Sequence, residues 1–83
     1  MFAVQIPEKI EQYTEINVKY LLSYIENNSY TVKIFIDDKE DNILNINSNI
    51  LQEYSLLFEK TGTYKLTFMI ESLGIEYSTN LVV

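Results

Sequence analysis

The sequence predicts an all-β fold, with seven short antiparallel strands forming a β-sandwich. Three observations carry this expectation. Apolar and polar residues alternate with period two along most of the chain, the alternating runs are rich in β-branched and aromatic residues, and turn-forming residues separate the runs at about the spacing of a sandwich. The chain has 83 residues, enough for a single domain, 1–83. A domain of this size buries only about 60% of the surface its unfolded chain exposes, so its apolar residues must be placed economically.

FAVQI, residues 2–6, sets Phe2, Val4 and Ile6 on one face, and Pro7 ends the run as it would on an edge strand. EINVKYLL, residues 15–22, sets Ile16, Val18, Tyr20 and Leu22 against Glu15, Asn17 and Lys19. Asn27, Asn28 and Ser29 form a turn, because asparagine tolerates the left-handed region. YTVKIFID then alternates through Tyr30, Val32, Ile34 and Ile36. The acidic stretch DDKEDN reads as the next turn, Ile43, Leu44 and Ile46 as a short strand, and Asn45, Asn47, Ser48 and Asn49 as a loose polar link. LQEYSLLFEK carries a strand with Tyr54, Leu56 and Phe58 inward. TYKLTFMI is the cleanest alternation, with Tyr64, Leu66, Phe68 and Ile70 against Lys65, Thr67 and Met69. Gly74 marks a hairpin after Ser72 and Leu73, and IEYSTNLVV puts Ile75, Tyr77, Leu81 and Val83 on one side.

A small α+β domain is the alternative. Pro7 could open a helix bearing Ile10, Tyr13, Tyr20, Leu21 and Tyr24, and Ser48 could cap one bearing Ile50, Tyr54, Leu57 and Phe58 and closed by Gly62. The β-branched and aromatic content of residues 14–20 and their strict alternation favour the strand.

Composition narrows the function. With 6 lysines and no arginine against 12 acidic residues, the net charge is -6. A basic face that could displace counterions from phosphates is not expected, which argues against nucleic acid and anionic membrane surfaces as partners. No apolar run approaches the roughly 20 residues of a membrane-spanning helix. There is no histidine and no cysteine, so Ser-His-Asp and Cys-His nucleophiles, thiolate metal sites and disulfides are ruled out. With only Gly62 and Gly74 there is no glycine-rich phosphate loop. The expectation is a protein that is not an enzyme and carries no cofactor.

Two features remain as candidate binding sites. Asp37, Asp38, Glu40 and Asp41 offer oxygens to calcium, but their spacing fits no calcium loop and Lys39 interrupts them. A solvated acidic turn that keeps the domain soluble is the favoured reading, and contact between Asp37, Asp38, Glu40 and Asp41 and a basic protein partner is the second. Of the seven tyrosines, only Tyr13 and Tyr24 lie in irregular segments where an exposed ring could stack on a sugar, so carbohydrate binding is the weaker alternative.

The stretch FEKTGTYKLTF, residues 58–68, carries the most specific local signal. Gly62 sits between two strand patterns, where the chain turns sharply and positive φ is available to glycine without penalty. Tyr64 follows, facing inward, and its buried hydroxyl needs a partner, most economically a backbone group just upstream across the corner.

This stretch resembles the tyrosine corner and sixth strand of bacterial and phage immunoglobulin-like modules. IPEKIEQYTEINVKYLL is similar to their first two strands, and YTVKIFIDDK to the third strand and its turn. The likeness spans nearly the whole chain and implies a seven-stranded immunoglobulin-like sandwich with Gly62 and Tyr64 as its structural corner. It departs from antibody domains, because no cysteine pair joins the sheets, Leu66 stands in place of the second cysteine, and Phe35 or Ile34 must serve where tryptophan is usual. The resemblance implies a structural or interaction module within a larger protein assembly, first of all a bacteriophage virion component. A spacer or adhesion module of a bacterial cell-surface protein is the second reading. The corresponding expectations for location are a virion or intracellular protein if Met1 is the natural start, and the cell surface if the stretch is cut from a longer chain.

Overall fold

The computed structural model describes residues 1–83 and contains no α-helix. In chain order the strands are β1 (Phe2–Gln5), β2 (Glu15–Leu22), β3 (Ser29–Ile36), β4 (Lys39–Asn47), β5 (Gln52–Leu57), β6 (Thr63–Ile70) and β7 (Ile75–Val82), with one 3-10 turn at Glu71–Leu73. They form two antiparallel sheets, a three-stranded one in the order β1-β2-β5 and a four-stranded one in the order β4-β3-β6-β7. One hydrophobic core lies between them, the arrangement of a β-sandwich.

The alternation in sequence becomes alternation in burial. In β2, Ile16, Val18, Tyr20 and Leu22 are buried while Glu15, Asn17 and Lys19 are exposed. Leu56 and Phe58 add to the core from the same sheet. The facing sheet contributes Val32, Ile34, Ile46, Leu66, Phe68, Ile70 and Leu81. Of the two candidates for the centre of the third strand, Ile34 is fully buried, whereas Phe35 is half-buried on the outer face. No buried side-chain polar atom lacks a hydrogen-bond partner, as a core this small requires.

Three expectations are corrected. Residues 7–24 form no helix; after Pro7 the chain bends at Glu8, Lys9 bridges Val82 in parallel, Gln12 and Tyr13 make a turn with Tyr13 at φ 61°, and β2 follows. Ser48 caps no helix and β5 occupies the region that alternative assigned to one, with Leu57 exposed. The acidic stretch is a turn only at Asp37 and Asp38, because β4 begins at Lys39 and is nine residues long. Glu40 and Asp41 are therefore strand residues. The register between β3 and β4 shifts at Ile34/Phe35, where Ile34 faces Asn42 and Phe35 faces Glu40, so Asp41 is the extra residue of a β-bulge.

The two faces of the four-stranded sheet differ in what they contribute to stability. Ile34 is buried on the inner face, while Ile43, opposite Lys33 on the outer face, is 49% exposed. Ile34→Ala is expected to lower the unfolding free energy by about 2–5 kcal/mol, and Ile43→Ala by about 0.5 kcal/mol or less. Urea denaturation of each variant measures the difference, and equal losses would contradict these facings.

Candidate functional site

The acidic hairpin and the glycine–tyrosine corner share one end of the sandwich, joined through Lys65. The hairpin between β3 and β4 has a two-residue link, with Ile36 paired to Lys39. Asp37 and Asp38 take φ values of 51° and 64°, the left-handed conformations that a type I′ turn demands at both central positions. Asp37 N–H donates to the Lys65 carbonyl at 2.9 Å, and the Lys65 N–H donates to Asp37 Oδ1 at 2.9 Å. These two bonds carry the β3–β6 ladder one residue past the last pair, Ile36 with Leu66. Lys65 Nζ also reaches Asp38 Oδ1 at 3.2 Å, an exposed ion pair of small energetic weight.

Asp41 is engaged elsewhere. The bulge turns it toward β5, where the Tyr54 hydroxyl donates to its Oδ2 at 2.6 Å. This bond links the edge strands of the two sheets, since β4 borders one and β5 the other. Burial pushes the Tyr54 phenol above its ordinary value, and the bond to Asp41 adds to the shift. The four acidic residues thus act separately: Asp37 on Lys65, Asp38 at the exposed tip, Glu40 opposite Phe35, and Asp41 on Tyr54. They do not converge on a common point that could hold a cation.

At the corner, β5 belongs to one sheet and β6 to the other, so the chain must cross between them over residues 58–62. Gly62 has φ 150°, which an L side chain rarely adopts, although a Cβ there would meet nothing within 4 Å. Its cost on substitution is therefore conformational. Gly62 N–H donates to the Val83 carbonyl at 3.1 Å, and Val83 N–H returns to the Gly62 carbonyl at 2.8 Å, which ties the crossing to the chain end. The Tyr64 hydroxyl donates to the Lys60 carbonyl at 2.7 Å, and its ring lies against Phe58 with centroids 4.5 Å apart.

The opposite end holds an arrangement that sequence reasoning missed. The stretch read as a loose link contains Ser48, which is buried, and Asn49, whose φ is 64°. Ser48 Oγ accepts from Asn28 N–H at 3.0 Å and donates to the Glu26 carbonyl at 2.8 Å. Asn49 reproduces a strand-like pairing with Tyr24, since its Oδ1 accepts from Tyr24 N–H at 3.1 Å and its Nδ2 donates to the Tyr24 carbonyl at 2.9 Å. These two side chains fasten the β2–β3 loop to the β4–β5 loop. The one available signal was an asparagine beside a turn, whose side chain can imitate a backbone partner.

Tyr13 and Tyr24 are exposed, at 68% and 44%. They stand beyond opposite ends of β2, Tyr13 beside Phe58 and Tyr24 beside Asn49, so the two rings do not share a surface. Compared with protein-family models, with curated proteins and with solved structures, the chain matches none.

Tyr64→Phe keeps the ring and removes a solvent-exposed bond to the Lys60 carbonyl, which water can then meet, at an expected cost of about 0.5–1.5 kcal/mol. Tyr77 makes no side-chain hydrogen bond across a corner, and Tyr77→Phe is expected to cost less. Thermal melts of both variants check the order, and a Tyr64→Phe protein as stable as the parent would remove the corner's energetic role.

Burial also raises the Tyr20 phenol. A folded value above the unfolded value near 10 means that the fold favours the neutral phenol. The stability from Tyr20 and Tyr54 is therefore fully present below about pH 10 and is lost as pH rises through the raised values. Denaturation across the alkaline range is expected to show a shallower loss for the Tyr20→Phe/Tyr54→Phe double variant than for the parent, and an identical loss would contradict the assignment.

Proposed function

We propose that the chain is a non-enzymatic, immunoglobulin-like structural module, most concretely a component of a bacteriophage virion or a similar protein assembly. The observation that carries this reading is the crossing from β5 to β6, where the Tyr64 hydroxyl binds Lys60 two residues before Gly62. Strand order supports it: β1, β2 and β5 form one sheet, and β4 lies beside β3 in the other, where variable-type immunoglobulin sheets add their extra strand.

The polar side chains with the greatest chemical potential already serve the fold. Asp37, Asp41, Ser48 and Asn49 bind backbone or tyrosine groups that hold turns and edges in place. Asp38 and Glu40 are exposed; Asp38 holds one exposed ion pair with Lys65, and the Glu40 carboxylate makes no hydrogen bond or ion pair. In this reading they present negative charge to a basic face of a neighbouring subunit, which favours encounter and register.

The direct test is to purify particles of the phage encoded in the same genome and probe them with antibody raised against residues 1–83. Detection at a fixed copy number per particle is expected, with incorporation reduced and folding retained in an Asp38→Lys/Glu40→Lys variant. Particles that assemble fully and lack the chain would contradict the virion reading.

A further inference from the structure

The free edge of β7 is a self-complementary docking strand, and we propose that two copies of this chain pair through it about a two-fold axis at Ser78, joining their four-stranded sheets into one. The inference rests on the backbone and is independent of the virion reading.

A sandwich of two open sheets has four edges, and here three are protected. β1 is only four residues long. β4 is bulged at Asp41 and begins Lys39, Glu40, Asp41. Two of its amides are also closed by side chains: Ile43 N–H donates to Asn42 Oδ1 and Asn47 N–H to Gln52 Oε1, both at 2.8 Å. β5 carries Glu53 and is joined to the β4 edge by the Tyr54–Asp41 bond. Short length, bulges and charge are the devices by which edges avoid pairing.

β7 is neither short nor bulged, and no bond ties its edge to the other sheet. Its eight residues pair with β6 from Ile70–Ile75 to Thr63–Val82 without a register shift, and Glu76 is its only charge. Its backbone polarity follows from its neighbours. Val82 exchanges bonds with the segment outside the sheet, donating to the Glu8 carbonyl at 3.0 Å and accepting from Ile10 N–H at 2.9 Å. Lys65, opposite Asn80, directs its N–H and C=O to Asp37 on the far side. In an antiparallel ladder these directions alternate, so Glu76, Ser78 and Asn80 point their N–H and C=O groups away from β6. No side chain bonds to any of them, whereas Val82 is covered.

Those free groups complement themselves in one register. With the axis at Ser78, Ser78 faces Ser78 of the second copy and Glu76 faces its Asn80, so every outward N–H meets an outward C=O. Each Glu76 carboxylate then lies beside a neutral amide, and Tyr77 lies beside Thr79 on the inner face. An axis at Glu76 would oppose two carboxylates, and one at Thr79 would require Val82, already taken by Glu8 and Ile10. An axis at Tyr77 would leave Asn80 opposite Gly74, outside the strand.

Sedimentation equilibrium over a concentration series tests the dimer, and cysteine cross-linking tests its register. The parent is expected to associate reversibly as a dimer. Ser78→Lys, which sets two like charges directly opposite each other and gives up the 3.0 Å contact between the Ser78 and Thr67 hydroxyls, is expected to weaken association about ten-fold or more, whereas Ser78→Ala, which loses that contact alone, is expected to associate like the parent. The chain has no cysteine, so a single introduced thiol reports cleanly. Facing residues in such a pair sit about 5.5 Å apart, within disulfide reach, so mild oxidation should cross-link Ser78→Cys and leave Asn80→Cys monomeric on a denaturing gel. A parent that stays monomeric at every concentration would overturn the proposal. So would a dimer unaffected by Ser78→Lys, or Asn80→Cys cross-linking in preference to Ser78→Cys.

Discussion

No disulfide cross-links the two sheets, so this domain depends on how the chain is held where it passes from one sheet to the other. The core between the sheets is non-directional and supplies attraction without specifying how they align. Alignment comes from the crossings. From β2 to β3 and from β4 to β5 the chain crosses at one end, and there Ser48 and Asn49 bind the two loops to each other. From β5 to β6 it crosses at the other end, where Gly62 pairs with Val83 and Tyr64 binds Lys60. The excursion after β1 is held by Glu8 and Ile10 against Val82. Each crossing therefore closes several of its backbone groups without a strand partner.

The same need explains where surface chemistry is available. Polar residues near the crossings are committed to backbone groups, so their exposure does not make them free. Asp37 completes a ladder and Asp41 joins two edges, although by composition both resemble ordinary solvated acids. What remains open is of two kinds: exposed charge, unpaired at Glu40 and only loosely paired with Lys65 at Asp38, and the outward backbone of β7. Under the proposed reading the first would meet a basic protein surface, and the second would meet another strand.

Most of the strands could be read in the sequence because one face of each is buried, and burial imposes period two on β2, β3, β6 and the inward half of β5. The start of β4 could not. It is an edge strand whose first residues have little core to face, so Lys39, Glu40, Asp41 and Asn42 carry no apolar signal, and the bulge at Asp41 breaks what alternation remained. The competing helix over residues 48–62 arose because Ile50, Tyr54, Leu57 and Phe58 fit its period, yet Ile50 and Leu57 are exposed. At the corner, the upstream bond of Tyr64 was expected of a buried hydroxyl, but the ring is half-buried and the bond to Lys60 is exposed to solvent. Ser48 and Asn49 were not legible, since a short polar residue reads the same whether it meets water or a backbone amide. The pairing of Lys9 with Val82 joins the two ends of the chain and leaves no local trace.

Native-state hydrogen exchange tests the central claim most directly. If the crossings are tied as described, the amides of Tyr24, Asn28, Asn49, Gly62 and Val83, all outside strands, will exchange as slowly as strand amides within the sheets. Exchange of these amides at the rate of an unstructured loop, with the sheet interiors still protected, would show that the core alone holds the sheets together and would contradict the account.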